Sequence, residues 1–117
     1  MKRILLLLSL LFSTVQSVYA DCDTDRFGVV FCGRGHCAQD KKGDVYCSKY
    51  LHGDAVLDKY GNVICGKGQC LPSIKFDDFY CSAIESGGAK LDRTATVKCY
   101  GGCDKASASM CERQPGK

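Results

Sequence analysis

Ten cysteines, two histidines and one adjacent aspartate pair are the residues of this 117-residue chain whose types and spacing suggest chemistry. Cys32-x4-Cys37, with His36 beside it, has the look of half a zinc site. Zinc takes thiolates, however, and an oxidising route pairs thiols before a metal can claim them. Thiol–disulfide exchange would want Cys-x-x-Cys near a βαβ pattern, and neither occurs. Hydrolysis needs a base and a nucleophile, or two converging carboxylates. Gln69 stands where His36 stands in an internal repeat, His52 lies in a linker, and Asp77 and Asp78 are strand neighbours that point to opposite faces. Each of these reads as a solvated side chain. The glycines flanking the second cysteine of each group (Gly33 and Gly35, Gly66 and Gly68, Gly101 and Gly102) resemble a phosphate cradle only in composition, because no helix is expected after them. They read instead as positive-φ residues in tight turns. Lys41-Lys42 as a dibasic cut would leave the pieces cross-linked. Asn62 is followed by Val63-Ile64, so it is no N-glycan acceptor. The expectation is a protein that is not an enzyme, with no catalytic residue, no cofactor and no metal.

The cysteines sit in a repeat. Phe27-Gly28-Val29-Val30-Phe31-Cys32-Gly33-Arg34-Gly35-His36-Cys37 returns as Tyr60-Gly61-Asn62-Val63-Ile64-Cys65-Gly66-Lys67-Gly68-Gln69-Cys70, and the two copies close on Cys47-Ser48 and Cys81-Ser82. A worn third copy keeps Cys99, Gly101, Gly102, Cys103 and Cys111. Cys22 aligns with Ala55 and Ala89 and makes the cysteine count even. Short β-branched and aromatic runs between glycine-bearing turns are hairpin signals, so each triplet is expected to form one small twisted hairpin. The fold class expected is small, disulfide-rich and mainly β, with tandem hairpin repeats, about five disulfides and little helix. Residues 21–117 are read as one domain of three degenerate repeats, at about 21–52, 53–86 and 87–113. The third suits a cap, with one helical turn over 104–110 and a frayed end at 114–117. Copy two carries the longest insertion, residues 71–80. Its Ile74, Lys75, Phe76, Phe79 and Tyr80 form the candidate binding surface, because loops on a rigid scaffold tend to carry recognition.

Residues 1–20 have a basic start, a nine-residue stretch broken only by Ser9 within Ile4 to Phe12, and a small-residue close at Ala20. That is the pattern of a secretory signal peptide, too short to span a bilayer. Without Lys2 and Arg3, 14 basic residues face 13 acidic ones, a net of +1, which offers no footprint for nucleic acid or anionic lipid. All ten cysteines lie in the remaining 97 residues, where Leu, Ile, Val and Phe together number only 17. Such a chain has too little apolar material to hold itself without cross-links. Five bridges at roughly 2–4 kcal/mol each would outweigh the usual net stability of a domain, so the fold is expected only when oxidised.

Ten cysteines admit roughly 900 pairings. Cys22, Cys32, Cys37 and Cys47 resemble the first four cysteines of an epidermal-growth-factor-like module, and that resemblance implies Cys22 with Cys37 and Cys32 with Cys47. Ser48 and Lys49 stand where the module continues with Cys-x-Cys, so that family is not assigned. Repeat logic then adds Cys65 with Cys81 and Cys99 with Cys111, leaving Cys70 with Cys103. Gly53-Asp54-Ala55-Val56-Leu57-Asp58-Lys59-Tyr60-Gly61-Asn62-Val63-Ile64-Cys65, Gly87-Gly88-Ala89-Lys90-Leu91-Asp92 and Cys99-Tyr100-Gly101-Gly102-Cys103 resemble small cysteine-rich secreted proteins of plant-colonising ascomycete fungi, among them biotrophy-associated secreted proteins and effectors. The resemblance implies secretion into the host apoplast or host–pathogen interface, virulence and interference with host defence. The partner would be a host protein or cell-wall glycan, with no nucleic acid, no membrane insertion and a monomeric chain. The alternatives are a secreted antimicrobial or toxin, for which +1 is a poor charge, a protease inhibitor using the 71–79 insertion as bait, and an adhesion module.

Overall fold

Four times an aspartate stands three residues ahead of a glycine or alanine: at 25–28, 40–43, 58–61 and 92–95. In the computed structural model, which describes residues 21–116, each of these is the tip of a β-hairpin. The signal-peptide reading of residues 1–20 lies outside the described residues. In every tip the aspartate Oδ1 accepts the backbone N–H groups two and four residues on, at 2.9–3.0 Å for Asp25, Asp40, Asp58 and Asp92 alike. The fourth residue turns the chain with a positive φ, 82° at Gly61 and 63° at Ala95. Asp fits because its short carboxylate reaches its own loop amides, and Gly fits because it has no Cβ to clash in the left-handed region. Ala95 meets that clash. Ala95→Gly is therefore expected to raise stability by a few tenths to about 1 kcal/mol, seen as a Tm increase of a few degrees; an unchanged or lower Tm would show the strain is relieved elsewhere.

The hairpins are β1 (Asp21–Thr24) with β2 (Val30–Gly33), β3 (Cys37–Gln39) with β4 (Val45–Ser48), β5 (Ala55–Leu57) with β6 (Val63–Cys65), β7 (Cys70–Ser73) with β8 (Asp78–Ser82), and β9 (Ala89–Leu91) with β10 (Val97–Cys99). Two short strands follow, β11 (Cys103–Lys105) and β12 (Cys111–Glu112), separated by a single 3-10 turn at Ala108–Met110. The fold is thus small, mainly β and built of tandem hairpins. Each full repeat holds two hairpins rather than the single one expected, because the strand carrying the first cysteine pairs backward with the lead segment and not forward with the second cysteine.

That boundary overturns all five expected disulfides. Hairpin register sets Cys22 opposite Cys32, Cys37 opposite Cys47 and Cys70 opposite Cys81, and each pair is bonded. Cys22 with Cys37, Cys32 with Cys47 and Cys65 with Cys81 would each join different hairpins, where no register brings the sulfurs together. Opposite Cys65 stands Ala55, and opposite Cys99 stands Ala89. These two sulfurs turn to Cys111 and Cys103 respectively, in place of Cys70 with Cys103 and Cys99 with Cys111.

The third copy does not close its second hairpin. Residues 103–116 instead run back along the array as a strap. β11 pairs with β8, Ser107 bridges to Cys65, β12 pairs with β4, and Pro115 bridges to Phe31. The tail expected to fray is held: Cys32 N donates to the Gln114 carbonyl at 3.1 Å and Gly116 N to the Val30 carbonyl at 2.8 Å. The strap covers strand edges that would otherwise present unpaired amides.

The interior is correspondingly thin. Phe31, Val45 and Cys47 form one buried cluster, and Cys70, Cys81 and Ala106 the other. Between repeats the contact is polar. Ser48 Oγ donates to the Gly66 carbonyl at 2.7 Å, and Ser82 Oγ, its counterpart, to the Tyr100 carbonyl at 2.6 Å. The glycines beside the cysteines serve this closeness rather than turn geometry. Gly33, Gly35, Gly66 and Gly68 do not have positive φ, although Gly101 and Gly102 do, and a methyl on Gly66 would collide with Cys81.

Candidate functional site

The β7–β8 hairpin carries the candidate surface on a base closed by Cys70–Cys81. Cys70 and Cys81 are 11 apart where Cys37 and Cys47 are 10 apart, but the extra length lies in the strands. The tip between Ser73 and Asp78 is four residues against five in the other hairpins, and Ser73 takes the place of the capping aspartate. Ser73 is buried, its Oγ accepts from Phe76 N at 3.3 Å, and its carbonyl accepts from Asp77 N at 3.0 Å. Asp77 makes the turn with φ 56°. The longer strands carry Ile74, Lys75 and Phe76 out at the tip, all three exposed.

The other two expected surface residues divide between faces, as strand alternation requires. Tyr80 lies on the side of Phe76, edge to face with it at 6.1 Å between ring centroids. Phe79 turns the opposite way, packing on the Cys70–Cys81 cluster beside Val56 and Ile64. Phe79 also walls a cleft of roughly 270 Å³ between this hairpin and the β5–β6 tip, whose other apolar lining is Leu57, Tyr60, Ile64 and Pro72. Leu57 and Tyr60 were not singled out from sequence. The signal available was the 58–61 tip itself, an Asp-x-x-Gly loop with an aromatic at its third position.

Lys59 and Asp77 span the cleft mouth at 3.1 Å. The hydrogen bond to Asp77 raises the Lys59 pKa above its ordinary 10.5, helped by the neighbouring Tyr60 and by the charge of Asp77. A raised amine favours the folded state at all pH values below 10.5, and the gain is lost as pH climbs through the raised value. An NMR titration should find Lys59 titrating above 10.5 and returning toward it in Asp77→Asn; unchanged behaviour in that variant would remove the pairing.

The histidines stand apart from this site. His36 lies between Asp21 and Asp54, its ring nitrogens 3.9 and 3.8 Å from their carboxylates. His52 Nδ1 is 3.3 Å from Ser86 Oγ, linking the turn before repeat two to the turn before repeat three. Asp78 pairs with Lys105 of the strap at 3.4 Å. No cysteine is free. Compared with known proteins, the chain matches no family model, no curated protein and no solved structure.

Proposed function

We propose that this protein is a secreted, non-enzymatic binding protein of the effector type, acting at a host–pathogen interface and presenting the β7–β8 tip to a host component. The observation that carries the reading is the placement of Ile74 and Phe76. Both are large, apolar and outward-facing on a hairpin whose base is cross-linked, so a partner meets them already ordered and little conformational entropy is lost on contact. Exposed apolar groups gathered on a rigid support mark interaction sites. The ten paired cysteines suit an extracellular, protease-rich setting. Interference with host defence follows from the resemblance to fungal effectors and is part of the proposal.

The test is capture from plant apoplastic and membrane extracts by the oxidised protein and by Ile74→Ser/Phe76→Ser. Phe79 is left intact because it packs against the interior. Capture by the parent that the folded variant loses, with Tyr100→Ser retaining it, supports the reading. Identical capture by all three proteins, or none, removes the tip as the contact surface.

A further inference from the structure

The tips of the first four hairpins lie in one row. Arg26 N donates to the Gly43 carbonyl and Lys41 N to the Gly61 carbonyl, both at 2.9 Å, and Lys59 reaches across to Asp77 at 3.1 Å. Each bond joins one tip to the next. Along this row stand Phe27, Tyr60, Ile74 and Phe76, exposed by 73%, 65%, 76% and 63%. Only Tyr100, at 71%, is comparably exposed elsewhere among the described residues, so the open apolar surface is concentrated on one edge.

The cations of the loops share that edge. Arg26, Lys41, Lys42, Lys59 and Lys75 are all exposed, and Arg26 and Lys59 sit over the rings of Phe27 and Tyr60 at 4.8 and 5.5 Å. The acids of the same loops are each engaged, Asp44 with Arg26 at 3.8 Å among them. Asp40 and Asp58 fold back onto their own loop amides. Asp25 is buried and paired with Arg113 at 3.5 Å, while Asp77, though exposed, is paired with Lys59. Among the described residues Lys41, Lys42 and Lys75 have no carboxylate partner. A chain total of +1 conceals this sorting.

We propose that the row is a peripheral docking edge for an anionic lipid bilayer. Apolar side chains projecting beyond a band of lysines match the boundary between acyl chains and acidic headgroups. Ile74, the most exposed of the four, is aliphatic and offers no ring for a sugar to stack on, which favours lipid over glycan. No helix among the described residues is long and apolar enough to cross a membrane, so the association is by the tips. The proposal rests on reading the β7–β8 tip as a contact surface and extends it to Phe27, Tyr60 and the lysines.

Sedimentation of the oxidised protein with phosphatidylcholine vesicles, with and without phosphatidylserine, tests it. Binding is expected with the anionic vesicles only and should weaken as salt is added. Ile74→Ser/Phe76→Ser should weaken it by about tenfold or more, and each of Lys41→Gln, Lys42→Gln and Lys75→Gln by roughly fivefold. Tyr100→Ser, at an exposed site off this edge, should leave it unchanged. No sedimentation, equal sedimentation with neutral vesicles, or binding that the tip variants retain overturns the proposal. An absence of vesicle binding beside a captured partner lost in Ile74→Ser/Phe76→Ser would leave the contact surface standing and remove the membrane.

Discussion

Cys65→Ala/Cys111→Ala is expected to lose about 4 kcal/mol, the largest loss for any single bridge. The two residues are 46 apart in sequence, so the bridge restrains the longest loop of the unfolded chain, and its entropic contribution grows with that length. Cys22–Cys32, Cys37–Cys47 and Cys70–Cys81 span ten or eleven residues and should each contribute nearer 3 kcal/mol, Cys99–Cys103 about 2. Cys22–Cys32 and Cys37–Cys47 also close hairpins that Asp-capped tips already favour. Cys65–Cys111 instead pins the strap at its middle, between Ser107 on Cys65 and β12 on β4. The double variant should therefore show a Tm lower by on the order of 20 °C, with amide exchange rising first over residues 103–116. Alanine is the right replacement, because Cys65 is fully buried and serine would place an unpartnered hydroxyl there. A loss no greater than that of Cys22→Ala/Cys32→Ala would mean that backbone pairing alone holds the strap.

The hairpins were legible because their cause is local. Turn residues and β-branched runs act over ten residues, and the repeat displays them several times. The pairing of cysteines was within reach but missed. Ala55 and Ala89, recognised as the counterparts of Cys22, stand opposite Cys65 and Cys99; an alanine opposite a cysteine in a hairpin already says that its sulfur bonds elsewhere. What hid this was counting cysteines in threes, which cut each repeat across two hairpins. The strap left no comparable trace. Its residues pair with segments far off in sequence, from Cys103 with Ser82 to Pro115 with Phe31, and such pairing imposes no period on the sequence. Ile74, Phe76, Phe79 and Tyr80 stood out as an apolar concentration in the 71–80 insertion. Tyr60 and Leu57, which line the cleft with Phe79, did not, because only the stacking of hairpins brings the preceding tip beside it.

The serines after Cys47 and Cys81 were visible as a repeated dipeptide whose purpose only packing reveals, and their removal is the second large effect expected. Ser48→Ala and Ser82→Ala should each cost about 1–3 kcal/mol. Both side chains are almost wholly buried, and each does two things: it donates to the next repeat and accepts from the link turn, at 3.2 Å from Tyr50 N and from Ile84 N. Alanine would leave the Gly66 or Tyr100 carbonyl without this donor and the link amide without its acceptor, in a space so closely packed that a methyl on Gly53 would collide with Ser48 and one on Gly87 with Ser82. Because the two serines serve different junctions, the double variant should lose nearly the sum of the singles. Urea denaturation of the oxidised proteins measures both quantities. Cysteine at either position would supply a group of similar size but a much weaker donor, so recovery of less than half the loss in Ser48→Cys would identify the hydrogen bond as the cause. Full recovery would instead assign the effect to packing volume. The distinction bears on how the array holds its tips in line: a directed bond at each junction fixes the rotation of one repeat on the next, whereas volume alone leaves that rotation free.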